Sequence, residues 1–154
     1  MHRATTPCRP AYAHRICVLL AVSLCGYAAT LGAQDIQVTL SGEQESPPVS
    51  TSASGTGTFA VGTDKSIRGK VTTTGISATA AHIHEGAPGK NGPVIIPLAK
   101  AGENAWSTPE DAKLSDAQYD AFKAGSLYVN VHSAAHKDGE IRGQLKPPSL
   151  KSTK

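Results

Sequence analysis

The stretch Ala80–Pro97, AAHIHEGAPGKNGPVIIP, decides the reading of this chain. It alternates through Ala81 and Ile83 on one side and His82 and His84 on the other, the period-2 pattern of a half-buried strand. Gly86, Pro88, Gly89, Gly92 and Pro93 then make a turn, and Val94–Pro97 is a second apolar strand. The segment therefore reads as a β-hairpin with two histidines one residue apart on its polar face. Its expected partner is Leu127–Leu145, LYVNVHSAAHKDGEIRGQL, where Leu127, Val129 and Val131 alternate with Tyr128, Asn130 and His132.

The rest of the chain extends the same pattern. Asp35–Leu40 alternates through Ile36, Val38 and Leu40. Ser41–Ser54 is polar, carries Pro47 and Pro48, and reads as a loop or edge segment. Gly55–Val61 and Ser66–Thr74 flank a Gly62–Lys65 turn and form a second hairpin, with Phe59, Ile67 and Val71 inward. Lys100–Asn104 is expected to be a loop, and Ala105–Ser107 a short strand with Trp106 in the core. One helix is predicted over 116–124. Ser115 and Gln118 supply a capping box, Leu114 and Tyr119 a hydrophobic staple, and Gly125 a C-terminal stop. Strands at Ser126–His132 and Glu140–Leu145 complete the set. The prediction is an all-β fold: a Greek-key-like β-sandwich or partly closed barrel of seven to eight strands with one short helix.

Residues 1–33 differ in kind. Arg3, Arg9 and Arg15 precede the short apolar run Ile16–Leu24 and a small-residue stretch ending at Ala33. That is the pattern of a secretory signal peptide, and the run is too short to span a membrane. Val22-Ser23-Leu24 before Cys25 suits lipidation poorly. The expected organisation is thus a signal peptide over 1–33, a β-domain over 34–146 and a disordered Lys/Ser tail over 147–154, in an exported protein, periplasmic or extracellular. Without the three leader arginines, the remaining 12 Lys and Arg balance the 12 Asp and Glu, so the basic pI is no argument for nucleic-acid binding. Cys8, Cys17 and Cys25 also lie in the leader, which excludes thiol catalysis and cysteine-ligated metal from the domain.

Four histidines remain: His82, His84, His132 and His136. All fall in the two segments quoted above. An H-x-H pair on a strand brings two imidazoles to one ion, His132 supplies a third nitrogen, and His136 is the candidate fourth ligand. Such a nitrogen set suits one copper ion, with zinc the second choice. Glu85 and Asp138 are the carboxylates placed to orient a ligand ring. The apolar faces build the core, so these histidines are expected on the outer face of the sheet. Glu140 and Arg142 alternate on a strand face and are expected to form a local ion pair with a neighbouring strand. There is no G-x-S-x-G and no phosphate-binding loop, and no catalytic residue is assigned.

Three ordered segments, LSGEQESPPVSTSASGTGTF, AAHIHEGAPGKNGPVIIPL and LYVNVHSAAHKDGEIRGQL, resemble the CHRD domain, the module named for chordin, from about Ile36 to Leu145. The resemblance implies an extracellular β-rich module. A weaker likeness is to copper/zinc superoxide dismutases. HIHEGAPGKNGP is similar to their copper-ligand strand and loop, and VNVHSAAHKDGE to the segment of a later copper ligand. It implies His82, His84 and His132 as copper ligands. It also implies what is missing: no histidine in Gly86–Pro97 for a metal bridge or zinc site, no disulfide cysteines, and no guiding arginine after Arg142. Two functions stay open on the sequence. One is a non-catalytic module binding a protein, extracellular-matrix or cell-envelope component. The other is a mononuclear metal-binding protein.

Overall fold

The computed structural model describes Met1 and residues 35–148; the expected signal peptide and most of the tail lie outside the described residues. The chain runs through β1 (Asp35–Ser41), a short 3-10 turn (Gly42–Gln44), β2 (Ser54–Val61), β3 (Ile67–Thr74), β4 (Ala78–Glu85), β5 (Val94–Pro97), β6 (Ala99–Gly102) and β7 (Ala105–Ser107). Helix α1 (Asp116–Lys123), β8 (Leu127–Ser133) and β9 (Ile141–Leu145) follow. Among the described residues the fold is all-β with one short helix. Its nine strands make one antiparallel sheet in the order β5-β4-β8-β9-β1-β2-β3-β7-β6. The sheet is nearly closed, because the strands at its two ends, β5 and β6, are separated in the chain only by Leu98.

The two predicted hairpins are present: β2 pairs with β3 from Ser54↔Thr74 to Val61↔Ile67, and β4 pairs with β5 through Ile83↔Ile96. The count exceeds the expected seven to eight because Lys100 and Gly102, read as loop, pair with Trp106 and Ala105 as β6. A four-residue strand whose residues are all exposed has no hydrophobic alternation to reveal it.

The core lies inside the curl. Leu40, Phe59, Ile67, Val71, Ile83, Leu127, Val129, Val131, Ile141 and Leu145 are completely buried. Phe59 stands opposite Gly69, and its ring occupies the space that a Cβ on Gly69 would need. Helix α1 is held as the sequence predicts: Ser115 accepts from the Gln118 N–H at 3.2 Å and the Gln118 side chain accepts from the Ser115 N–H at 2.9 Å. Phe122 and Leu114 pin it to the core.

What positions the site is β8. Every one of its residues is buried, on both faces. Its inner face enters the core. Its outer face, Tyr128, Asn130 and His132, is roofed by the segment around Glu45, the Gly86–Gly92 loop and the turn after Ser133. The outer face expected to carry the histidines is therefore covered along β8. Polar side chains on these loops and strands need buried partners, and they bring the loops down onto the strand.

Candidate metal centre

In the β4–β8 ladder, Ala80 stands opposite His132, His82 opposite Asn130, and His84 opposite Tyr128. His132 is thus the diagonal neighbour of His82 on the shared outer face, within reach of its ring. Ring centroids are 4.9 Å apart for His82 and His132, 5.7 Å for His82 and His84, and 6.0 Å for His84 and His132. One ligand nitrogen from each of His82, His84 and His132 lies within 4.8 Å of the other two.

Hydrogen bonds fix how these rings face one another. His84 Nδ1 lies 2.9 Å from the Gly92 carbonyl, and His132 Nδ1 lies 2.9 Å from the Lys137 carbonyl. A carbonyl only accepts, so both rings carry the proton on Nδ1 and leave Nε2 with a bare lone pair. His82 Nδ1 sits 3.0 Å from His132 Nε2 and so donates to it. The Nε2 of His84 is buried and has no hydrogen-bond partner. An unpartnered buried acceptor costs about 1–3 kcal/mol, and here it belongs to a ring that stands beside two other imidazoles.

The surroundings of His82 and His84 favour their neutral forms. Burial, then the neighbouring His132 and His84, hold the His82 pKa below the ordinary imidazole value. Burial does the same for His84, against the Gly92 carbonyl, and His132 and Arg142 add to the lowering. Neutral imidazole is the ligand form.

The orienting groups are not those read from the sequence. Glu85 and Asp138 make no hydrogen bond to a histidine ring among the described residues; the carbonyls of Gly92 and Lys137 do that work. A carbonyl is present at every residue, so no sequence signal marks it. His136 stays outside the trio, on the turn after β8, where its N–H donates to Ser133 Oγ at 3.2 Å and it lines a cavity of about 230 Å³ with Glu45, Ser46 and Asp138.

Three residues that carry the site were missed or misread. Tyr128 stacks on His84 with centroids 4.9 Å apart and planes 14° apart. Arg142 is 1% exposed, with its guanidinium carbon 3.4 Å over the Tyr128 ring. It donates to the Ala87 carbonyl at 3.1 Å and to Gln144 at 3.2 Å. The expected ion pair with a neighbouring strand is corrected: among the described residues neither side chain forms a salt bridge, Glu140 accepting from Thr51 Oγ1 at 2.8 Å while Arg142 roofs the tyrosine. Glu45, read as loop, is buried against Asn130 at 3.4 Å, and burial pushes its carboxyl up to about 7 despite Arg142 and Asn130. The register opposite His84 was the signal that pointed to Tyr128.

The strands and loops that build this centre fall within one family match, which spans residues 36–145 with the description CHRD domain. The chain belongs to the CHRD family. No curated protein and no solved structure matches it. The match takes in all nine strands and the histidine trio of this CHRD domain. Among the described residues, no helix is long and apolar enough to cross a membrane.

Proposed function

We propose that this protein is an exported CHRD module that binds one transition-metal ion, copper first and zinc second, through His82, His84 and His132. The observation that carries the reading is the trio itself, one ligand nitrogen from each ring lying within 4.8 Å of the other two, with a buried His84 Nε2 that has no hydrogen-bond partner among the described residues. Three neutral imidazoles without a thiolate or carboxylate suit copper or zinc and not magnesium or calcium, which take oxygen ligands. Backbone carbonyls on two of the rings supply the outer hydrogen bonds that metal-bound histidines take. His82 is the half-exposed member, which leaves a side open for a further ligand. Export follows from the leader pattern over 1–33 and from the family. Any partner is a protein or envelope component met in that compartment.

Calorimetry with elemental analysis tests this on the purified protein. The expected result is one equivalent of Cu²⁺, lost in His84→Ala and in His82→Ala. Uptake by the wild type no greater than that of a variant lacking both His82 and His84 overturns it.

A further inference from the structure

Arg142 is a buried cation that forms no salt bridge among the described residues. Among the described residues the salt bridges join Lys65 to Asp116 and Lys123 to Asp120, and none reaches Arg142. Its named partners are neutral: the Ala87 carbonyl, Gln144 and Asn91. Burying such a charge is costly unless it is paired and hydrogen-bonded, and here neutral acceptors and the Tyr128 ring stand in for an ionic partner. Strand order places Tyr128 between the other two side chains, since β8 lies between β4, which carries His84, and β9, which carries Arg142. The result is a column of guanidinium, phenol and imidazole. Tyr128 is 1% exposed, so no water enters between the members to screen them.

Resting on the copper reading above, we infer that Arg142, acting across the Tyr128 ring, tunes the trio toward Cu⁺ over Cu²⁺. The three imidazoles bring no negative charge, so bound copper keeps its full charge, one unit for Cu⁺ and two for Cu²⁺. A fixed positive charge two ring spacings away, inside a region of low dielectric, opposes the second unit more than the first. Arg142 touches no ligand atom and is a tuning residue. Glu45, the carboxyl nearest in effect, is held as an acid close to neutrality and compensates the guanidinium only in part. The chemistry assigned to the site is one-electron exchange, Cu²⁺ taking one electron from a soluble reductant such as ascorbate to give Cu⁺.

The experiment measures Cu⁺ affinity by competition with bicinchoninate and Cu²⁺ affinity by competition with glycine. It compares the wild type, Arg142→Gln and Arg142→Lys. The expected effect of Arg142→Gln is an affinity ratio, Cu⁺ over Cu²⁺, lower by about tenfold, equal to a potential about 59 mV lower for one electron. Arg142→Lys, which keeps the charge, should hold the ratio within about threefold of wild type. Asn91→Asp offers a milder variant if Arg142→Gln fails to fold. It sets a carboxylate beside the guanidinium from an exposed loop position and should move the ratio the same way. An unchanged ratio in variants that still bind copper overturns the tuning and leaves the metal site standing. So does an equal loss of both affinities, the mark of a merely structural role. A wild type that binds copper in neither state overturns both readings.

Discussion

Gly92 grips His84 and its stacking partner at once. Its carbonyl accepts from His84 Nδ1 at 2.9 Å, and its N–H donates to the Tyr128 hydroxyl at 3.2 Å. A Cβ at this position would overlap the carbonyl of Glu85. Gly92→Ala must therefore displace the loop and loosen both rings. The expected outcome is a loss of stability on the order of 1–3 kcal/mol and of copper affinity by about tenfold or more. Denaturant titration and calorimetry on one sample read both. Unchanged affinity would show that the loop does not orient His84.

The hydrogen-bond pattern fixes the tautomers of the metal-free protein. His84 and His132 are expected as Nδ1–H forms, and His82 as the Nδ1–H donor to His132. Long-range ¹H–¹⁵N spectra of the imidazoles separate the two tautomers directly. Adding Zn²⁺ should free His132 Nε2 from His82 and shift the His82 ring nitrogens most. An Nε2–H signal from His84 in the metal-free protein contradicts the assignment.

Metal that binds only the folded chain must raise its melting temperature. At a free concentration about 100 times Kd the gain is roughly 2.7 kcal/mol, which for a domain of this size is on the order of 10 °C. A thermal scan with Zn²⁺, reversed by chelator and absent in His84→Gln, is the expected result. An equal shift in that variant would place the metal elsewhere.

Glu45 makes stability depend on pH in a direction opposite to the usual carboxylate. Its folded value of about 7 lies above the ordinary 4.5 because burial disfavours the charge. The folded state thus holds the proton more tightly than the unfolded one. Its contribution is full below the unfolded value and is lost as pH rises through about 7. The loss is on the order of 3 kcal/mol. Unfolding curves of the metal-free protein from pH 4.5 to 8 should show this decline, and Glu45→Gln should flatten it. A parallel decline in Glu45→Gln would assign the effect to another group.

Much of this was legible in the sequence, for definite reasons. Alternation in Ile36–Leu40, Phe59–Val71 and Leu127–Val131 reports which face meets the core, since burial acts on side chains one by one. Ser115 and Gln118 marked the helix start because a capping box is a local event. The alternation also put His82, His84 and His132 on one face. It did not tell that the face is covered. Covering depends on Glu45, Asn91 and Arg142, whose partners lie tens of residues away. Nor does any residue code announce that the Gly92 and Lys137 carbonyls will meet imidazoles.

The single residue between β5 and β6 has a mechanical meaning. Most sheets end in two bare margins that other chains can recruit. Here one continuous run of backbone supplies both margins, so Leu98 ties the two ends of the nearly closed sheet together, itself buried and with its N–H donating to the Ala81 carbonyl at 2.9 Å. That seam adjoins His82, one residue along β4 from Ala81. A cut there would sever the link between the two end strands beside His82, in a domain that has no disulfide to hold its shape.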